Sequence, residues 1–217
     1  MMTVRIFKDP GSAITHYLGM LMALIGGVPF IIKAAHGSTL VLVSSIIYIG
    51  SMVLLYAASY TYHFYDISER VNKILKKIDH MMICILIAGT YTPYCLLVIR
   101  GTFGIVILSI IWSFALIGII IKAFWVTCPK WFSSILYIGM GWTCIVALPR
   151  LYNGVNSAAF WWLLAGGIIY TIGGVIYALK IPWIDNKFKN FGLHEIFHLF
   201  VMGGSICHYI SLYFYVI

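Results

Sequence analysis

The sequence predicts an all-α polytopic membrane protein, a bundle of seven transmembrane helices. Three observations carry this. Of 217 residues, 62% are hydrophobic and 9% charged, with mean hydropathy +1.00. A soluble domain carries about 45–50% apolar and about 25% charged residues. The apolar residues fall in runs, and a run of about 20 spans the hydrocarbon core. Seven such runs and their connections use up the chain, so residues 1–217 form a single domain with no room for a soluble one.

The first span covers residues 12–32, with Ser12 as its N-cap after Asp9-Pro10-Gly11. Residues 33–38 turn the chain into the second span, 39–63. A polar loop, 64–77, carries Asp66, Glu69, Arg70, Lys73, Lys76 and Lys77. The third span is 78–99, followed by a tight Arg100-Gly101 turn and the fourth span, 103–121. The fifth span is 131–147, after a short loop at 122–130. Pro149 and Asn153-Gly154 mark a turn at 148–156. The sixth span is 157–179, a polar loop covers 180–192, and the seventh span is 193–216. Trp131, Trp161, Trp162, Trp183 and the tyrosines at 209–215 form interfacial belts. Gly139, Gly141, Gly166 and Gly167 suggest close helix contacts.

No cleavable signal is expected. Arg5 and Lys8 precede the first apolar run, but a secretory core is about 7–15 residues and this run is longer. Charge sets the orientation. Eleven basic residues fall on the side of the N-terminus: Arg5, Lys8, Arg70, Lys73, Lys76, Lys77, Lys122, Lys130, Lys180, Lys187 and Lys189. Lys33, Arg100 and Arg150 fall on the other. The positive-inside rule places the N-terminus in the cytoplasm and the C-terminus outside. The net charge of +8 serves this purpose and contact with anionic lipid, and no nucleic-acid partner is expected. The five cysteines, Cys84, Cys95, Cys128, Cys144 and Cys207, are odd in number and lack a C-x-x-C pattern, so no disulfide framework is expected.

Ionisable residues inside spans point to function. His16, His63, His80, His194 and His198 all fall at one depth on the N-terminal side, with Asp79 and Glu195 just inside span ends. His194 and His198, at i and i+4, share a helix face and can bind one metal. Zinc favours nitrogen ligands in tetrahedral geometry, and a catalytic site uses three protein ligands plus water. His63 is an allowed third ligand from another helix. Asp79 could hold the water or orient an imidazole, and Ser59 lies one turn before His63 on the same face. For His16, His80 and His208 the expectation is a bond to a carbonyl across a helix contact. His208 lies ten residues beyond His198, about 15 Å along the helix, too far to share the ion. His194-Glu195-Ile196-Phe197-His198 also spells the zincin H-E-x-x-H, with Glu195 as base. The 19 residues after His198 supply no further acidic ligand for that reading.

These residues resemble the hemolysin III branch of the progestin and adipoQ receptor (PAQR) family over nearly the whole chain. The pieces are Ile14-Thr15-His16, the S-x-x-x-H of Ser59 to His63, and Ile78-Asp79-His80. Ala88 to Pro93 and His194-Glu195-Ile196-Phe197-His198 with His208 following complete the set. The resemblance implies a seven-helix fold and a zinc ion (Zn2+) near the cytoplasmic side held by His63, His194 and His198. It implies that Asp79 contacts the zinc through water and that Ser59 lies in the surrounding shell or beside the reacting group. It implies kinship with alkaline ceramidases, which share the S-x-x-x-H, Asp and H-x-x-x-H pattern. The family tolerates other residues at Glu195. The short N-terminal tail departs from the animal receptors, which speaks against hormone binding and for a bacterial inner-membrane protein.

Two functions follow as expectations. One is a zinc-dependent hydrolase of a lipid amide, with Asp79 as base, Ser59 as oxyanion donor and substrate entering from the bilayer. The other is a non-catalytic membrane sensor or lipid homeostasis factor with structural zinc. In both, membrane lipids are the partners. A pore-forming hemolysin is disfavoured, because a secreted toxin must first be soluble and this chain is apolar throughout.

Overall fold

The computed structural model of the chain describes residues 8–179 and 192–217. Arg5 and the predicted loop with Trp183, Asp185, Lys187 and Lys189 lie outside the described residues. Among the described residues there is no strand, and seven helical segments are long and apolar enough to cross a membrane. They are α1 (Pro10–Ala35), α2 (Thr39–Phe64), α3 (Glu69–Pro93) continued by a π turn (Tyr94–Ile99), and α4 (Gly101–Phe124). A broken span follows, α5 (Lys130–Trp142), a 3-10 turn (Thr143–Ala147) and α6 (Leu148–Gly154). The last two are α7 (Ser157–Leu179) and α8 (Leu193–Tyr215). The seven-span expectation holds.

Several boundaries differ. Helix α1 starts at Pro10, whose missing N–H suits a first helical position. Ser12 is therefore not the N-cap; its hydroxyl donates to the Glu195 carboxylate. Helix α3 begins at Glu69, so Arg70, Lys73, Lys76 and Lys77 ride its first turns and not a loop. Ser68 explains this, because its hydroxyl caps the Val71 N–H at 3.4 Å. The residues expected to turn at 148–156 are helical to Gly154, with Pro149 in the first turn of α6. The chain does turn sharply at Arg100 and Gly101, both with positive φ, 53° and 58°.

Without water between them, membrane helices associate through close packing of small residues. The α7–α8 seam shows it. A side chain at Gly204 would meet the Tyr170 ring at 2.7 Å, and one at Gly173 would meet Phe200 at 2.6 Å. Gly89 does the same for α2–α3 against Ser51, and Gly19 for α1–α2 against Tyr56. Of the predicted contact glycines only Gly166 packs closely, with His208; Gly139, Gly141 and Gly167 have nothing within 4 Å. Gly139 and Gly141 lie in α5. Tyr91 compensates for the break in that span. Its hydroxyl donates to the Gly141 carbonyl at 2.6 Å and accepts the Cys144 N–H at 2.7 Å, so backbone freed from the helix stays satisfied in an apolar setting.

Trp125, Trp131 and Trp161 are exposed, as interfacial anchors require. The five cysteines are unpaired.

Candidate metal centre

The site forms where the last turn of α2 meets the first turns of α8. His63 comes from α2, and His194 and His198 stand one turn apart on the inner face of α8. His63 and His198 are buried and His194 is half-buried. One ligand atom from each lies within 4.8 Å of the others. His63 Nε2 and His194 Nε2 are 3.1 Å apart. Nitrogens at about 2.0–2.1 Å from a shared tetrahedral ion stand ~3.3 Å apart, so this spacing serves a common ion as well as an N–H···N bond.

Two neighbours fix the rings. Asp9 Oδ2 lies 3.0 Å from His63 Nδ1. The segment before α1 is strapped to the end of α2, with Asp9 N–H donating to the His63 carbonyl at 2.9 Å. The bond from His63 holds the Asp9 carboxyl below its ordinary range. Thr15 Oγ1 lies 3.1 Å from His198 Nδ1 and donates to the Ser12 carbonyl at 2.9 Å. A hydroxyl whose proton is so engaged accepts from the ring, which makes Nδ1 the N–H of His198. In both histidines Nε2 is left as the unprotonated ring nitrogen, the one that carries the lone pair. Such outer partners orient metal ligands and raise their basicity, so the donor set fits zinc. The sequence reading missed both. The signal for Asp9 was available, since span parity puts it at the same membrane face as His63; Thr15 needed the helix packing.

Asp79 and Ser59 are buried and line the same cavity as His194 and His198. Asp79 Oδ2 sits 3.1 Å from His80 Nδ1, and Asp9 is the carboxylate in contact with the candidate ligand His63. Ser59 Oγ has no hydrogen-bond partner. The carbonyl bonds expected for the other histidines are not seen. Both ring nitrogens of His16 lack partners, and its ring stacks on His198 at 3.5 Å and 10°. His80 faces Asp79. His208 stacks on Tyr170 at 5.4 Å, with its Nδ1 unpartnered. Both carboxylate oxygens of Glu195 are engaged outside the three-histidine cluster. It accepts the Ser12 hydroxyl and, at 2.7 Å, the Gly192 N–H, a capping role that ties α8 to α1. The zincin reading fails on this geometry.

The cavity of about 180 Å³ opens below the histidines between α3, α5, α7 and α8. A water occupies about 10–15 Å³ in this measure, so the space is ligand-sized. One face of α3 and the start of its π turn, from Asp79 through Ile83, Ile87 and Thr90 to Tyr94, follows it. Those residues extend about 22 Å at 1.5 Å per residue. Apart from its histidine end the lining is mainly apolar.

A family model described as "Haemolysin-III related" matches residues 4–209. The chain belongs to this family. It is 38% identical over 217 residues to Hemolysin-3 of Bacillus cereus, covering 100% of this chain and 95% of the relative. It is 40% identical over 218 residues to the Hemolysin-3 homolog of Bacillus subtilis (strain 168), covering 99% and 96%. The family extends to more distant receptors: the chain is 25% identical over 227 residues to an adiponectin receptor protein of Drosophila melanogaster, covering 94% of this chain and 50% of that protein. The chain is thus an integral membrane protein of the hemolysin III and PAQR family.

Proposed function

We propose that this membrane protein binds one zinc ion through His63, His194 and His198 and hydrolyses a lipid amide at the end of its apolar cavity. The observation that carries the reading is the joining of two environments. A three-imidazole donor set, with Ser59 and Asp79 beside it, caps a long apolar space of acyl-chain character. Zinc would supply Lewis-acid polarisation of the amide carbonyl and a lowered pKa for attacking water.

The chain's own residues do the rest. Asp9 and Thr15 hold two of the imidazoles with Nε2 presented. Asp79 accepts the proton of the attacking water, and its carboxylate stands 3.1 Å from His80 Nδ1. Ser59 Oγ, free of any other partner, donates to the oxyanion that develops on the carbonyl. The apolar walls hold the acyl chain, so that binding remote from the scissile bond positions it. The excess of basic residues on the N-terminal side supports a cytoplasmic placement of the site, and the likeness to the two Bacillus proteins supports a bacterial inner membrane as its location.

The test is release of free fatty acid from long-chain N-acyl sphingoid substrates by protein in nanodiscs, read by mass spectrometry. Release lost in Asp79→Asn and reduced in Ser59→Ala supports the reading. Full release by Asp79→Asn removes Asp79 as base. Zinc bound tightly with no turnover of any N-acyl lipid leaves the second function, a lipid sensor whose zinc fastens α2 to α8.

A further inference from the structure

The turn between α4 and α5 holds a second cluster of reactive side chains. It lies at the same end of the bundle as the histidines but outside their cavity. Lys122, in the last turn of α4, is 0% exposed. Its Nζ lies 2.9 Å from Cys128 Sγ and 2.5 Å from Ser133 Oγ. Sγ and Ser133 Oγ are 3.4 Å apart, and the Tyr137 ring centroid is 5.5 Å from Nζ. Among the described residues no carboxylate pairs with Lys122. A lysine amine is thus held in contact with a sulfur, in a pocket closed by a hydroxyl that touches both. Cys84, Cys95, Cys144 and Cys207 have no lysine hydrogen-bonded to them among the described residues.

Two reactive groups fixed in contact react as though at very high concentration, about 10⁵ M or more when well oriented. The pairing matters under oxidation. A sulfenic acid condenses with a thiol or with a backbone nitrogen, and here the nucleophile that stands against the sulfur is the side-chain nitrogen of Lys122. Cys128 keeps 8% exposure on a turn between exposed Trp125 and Trp131, so a small oxidant reaches it from the membrane surface.

We propose that Cys128 and Lys122 are a modification site that closes into a covalent sulfur–nitrogen bridge on meeting a hydroperoxide. In the first step Sγ attacks one peroxide oxygen. The S–O bond forms and the O–O bond breaks. Sulfur gives up two electrons, and the thiol proton leaves with the departing alcohol or water. In the second step the amine form of Lys122 attacks Sγ. The S–N bond forms and the S–O bond breaks, and the hydroxyl departs as water with one amine proton. Thiol, amine and hydroperoxide thus yield a sulfenamide, an alcohol and water, with no further oxidant. Ser133 is a positioning residue that keeps Nζ and Sγ together. The bridge fastens the turn at 125–129 to the end of α4, and excess thiol reopens it to amine and disulfide.

The experiment uses the full chain in nanodiscs, treated with hydrogen peroxide and read by intact mass and peptide mapping. The expected product has lost two hydrogens, carries Lys122 joined to Cys128, and reverts with dithiothreitol. Cys128→Ser does not form it. Lys122→Arg stops at the sulfenic acid, trapped at Cys128 by dimedone. The wild-type map decides even where a variant fails to fold. Oxidised wild type with Lys122 unmodified overturns the proposal, whether Cys128 is then a sulfinic acid, a disulfide partner or an intact thiol.

Discussion

Asp9 Oδ2 accepts the Nδ1–H of His63 at 3.0 Å, across the junction of α1 and α2. The contact gives the chain's first described residues a task at the candidate metal centre. Removal of such a partner typically costs 10- to 100-fold in metal affinity. Asp9→Asn is expected to weaken zinc by about 10-fold, because an amide oxygen still accepts, and Asp9→Ala by about 100-fold. Competition against a chelator of known affinity measures it. Unchanged affinity in Asp9→Ala would disconnect Asp9 from the centre.

Metal content is the direct measurement. Elemental analysis of the purified chain is expected to give about one zinc per protein, the number a single three-histidine site allows. His63→Ala, His194→Ala and His198→Ala each lose it, and His208→Ala keeps it. Since the candidate ligands come from α2 and α8, a bound zinc would join the two helices, and removing it is expected to lower the midpoint of thermal unfolding. Added free zinc at 100 times its Kd should restore about 2.7 kcal/mol. A midpoint indifferent to zinc would show that the ion does not fasten the bundle.

Glu195→Gln separates the two readings of the H-E-x-x-H segment. Its carboxylate caps α8 and takes the Ser12 hydroxyl. Under the proposed function, the variant is expected to match the wild type in zinc content and lipid-amide turnover while losing about 1 kcal/mol of stability from weakened capping. Turnover lost with zinc retained would return Glu195 to the chemistry.

Gly104 stands where α4 passes the π turn, and a side chain there would meet the Cys95 carbonyl at 2.4 Å. Backbone cannot rotate away as a side chain can. Gly104→Ala is expected to cost about 1–3 kcal/mol, seen as a lower unfolding midpoint in detergent. Gly139→Ala, with open space around it, should be neutral or slightly stabilising through helix propensity. Equal effects at both positions would refute the packing argument.

Fold and candidate site were not equally legible. Seven apolar runs, the Arg100-Gly101 turn and the i, i+4 spacing of His194 and His198 are one-dimensional signals, because membrane thickness and helix pitch convert length directly into structure. Span parity alone puts His63 at the level of His194. Polar helix ends obscured the boundaries: α3 runs out past its apolar run because Ser68 caps it, and α6 continues through the apparent turn.

The sequence by itself determined the class, the number of spans and the set of histidines at one end, since hydropathy and spacing act locally. Tertiary structure decided the rest. It chose Asp9 and Thr15 as the groups that orient the rings, engaged Glu195 with Ser12 and the start of α8, left Ser59 and His16 without hydrogen-bond partners, and placed Lys122 against Cys128. Each of these depends on how helices are rotated against one another. That rotation is set by glycine notches and side-chain interlock between residues distant in the chain, which periodicity along one helix does not encode.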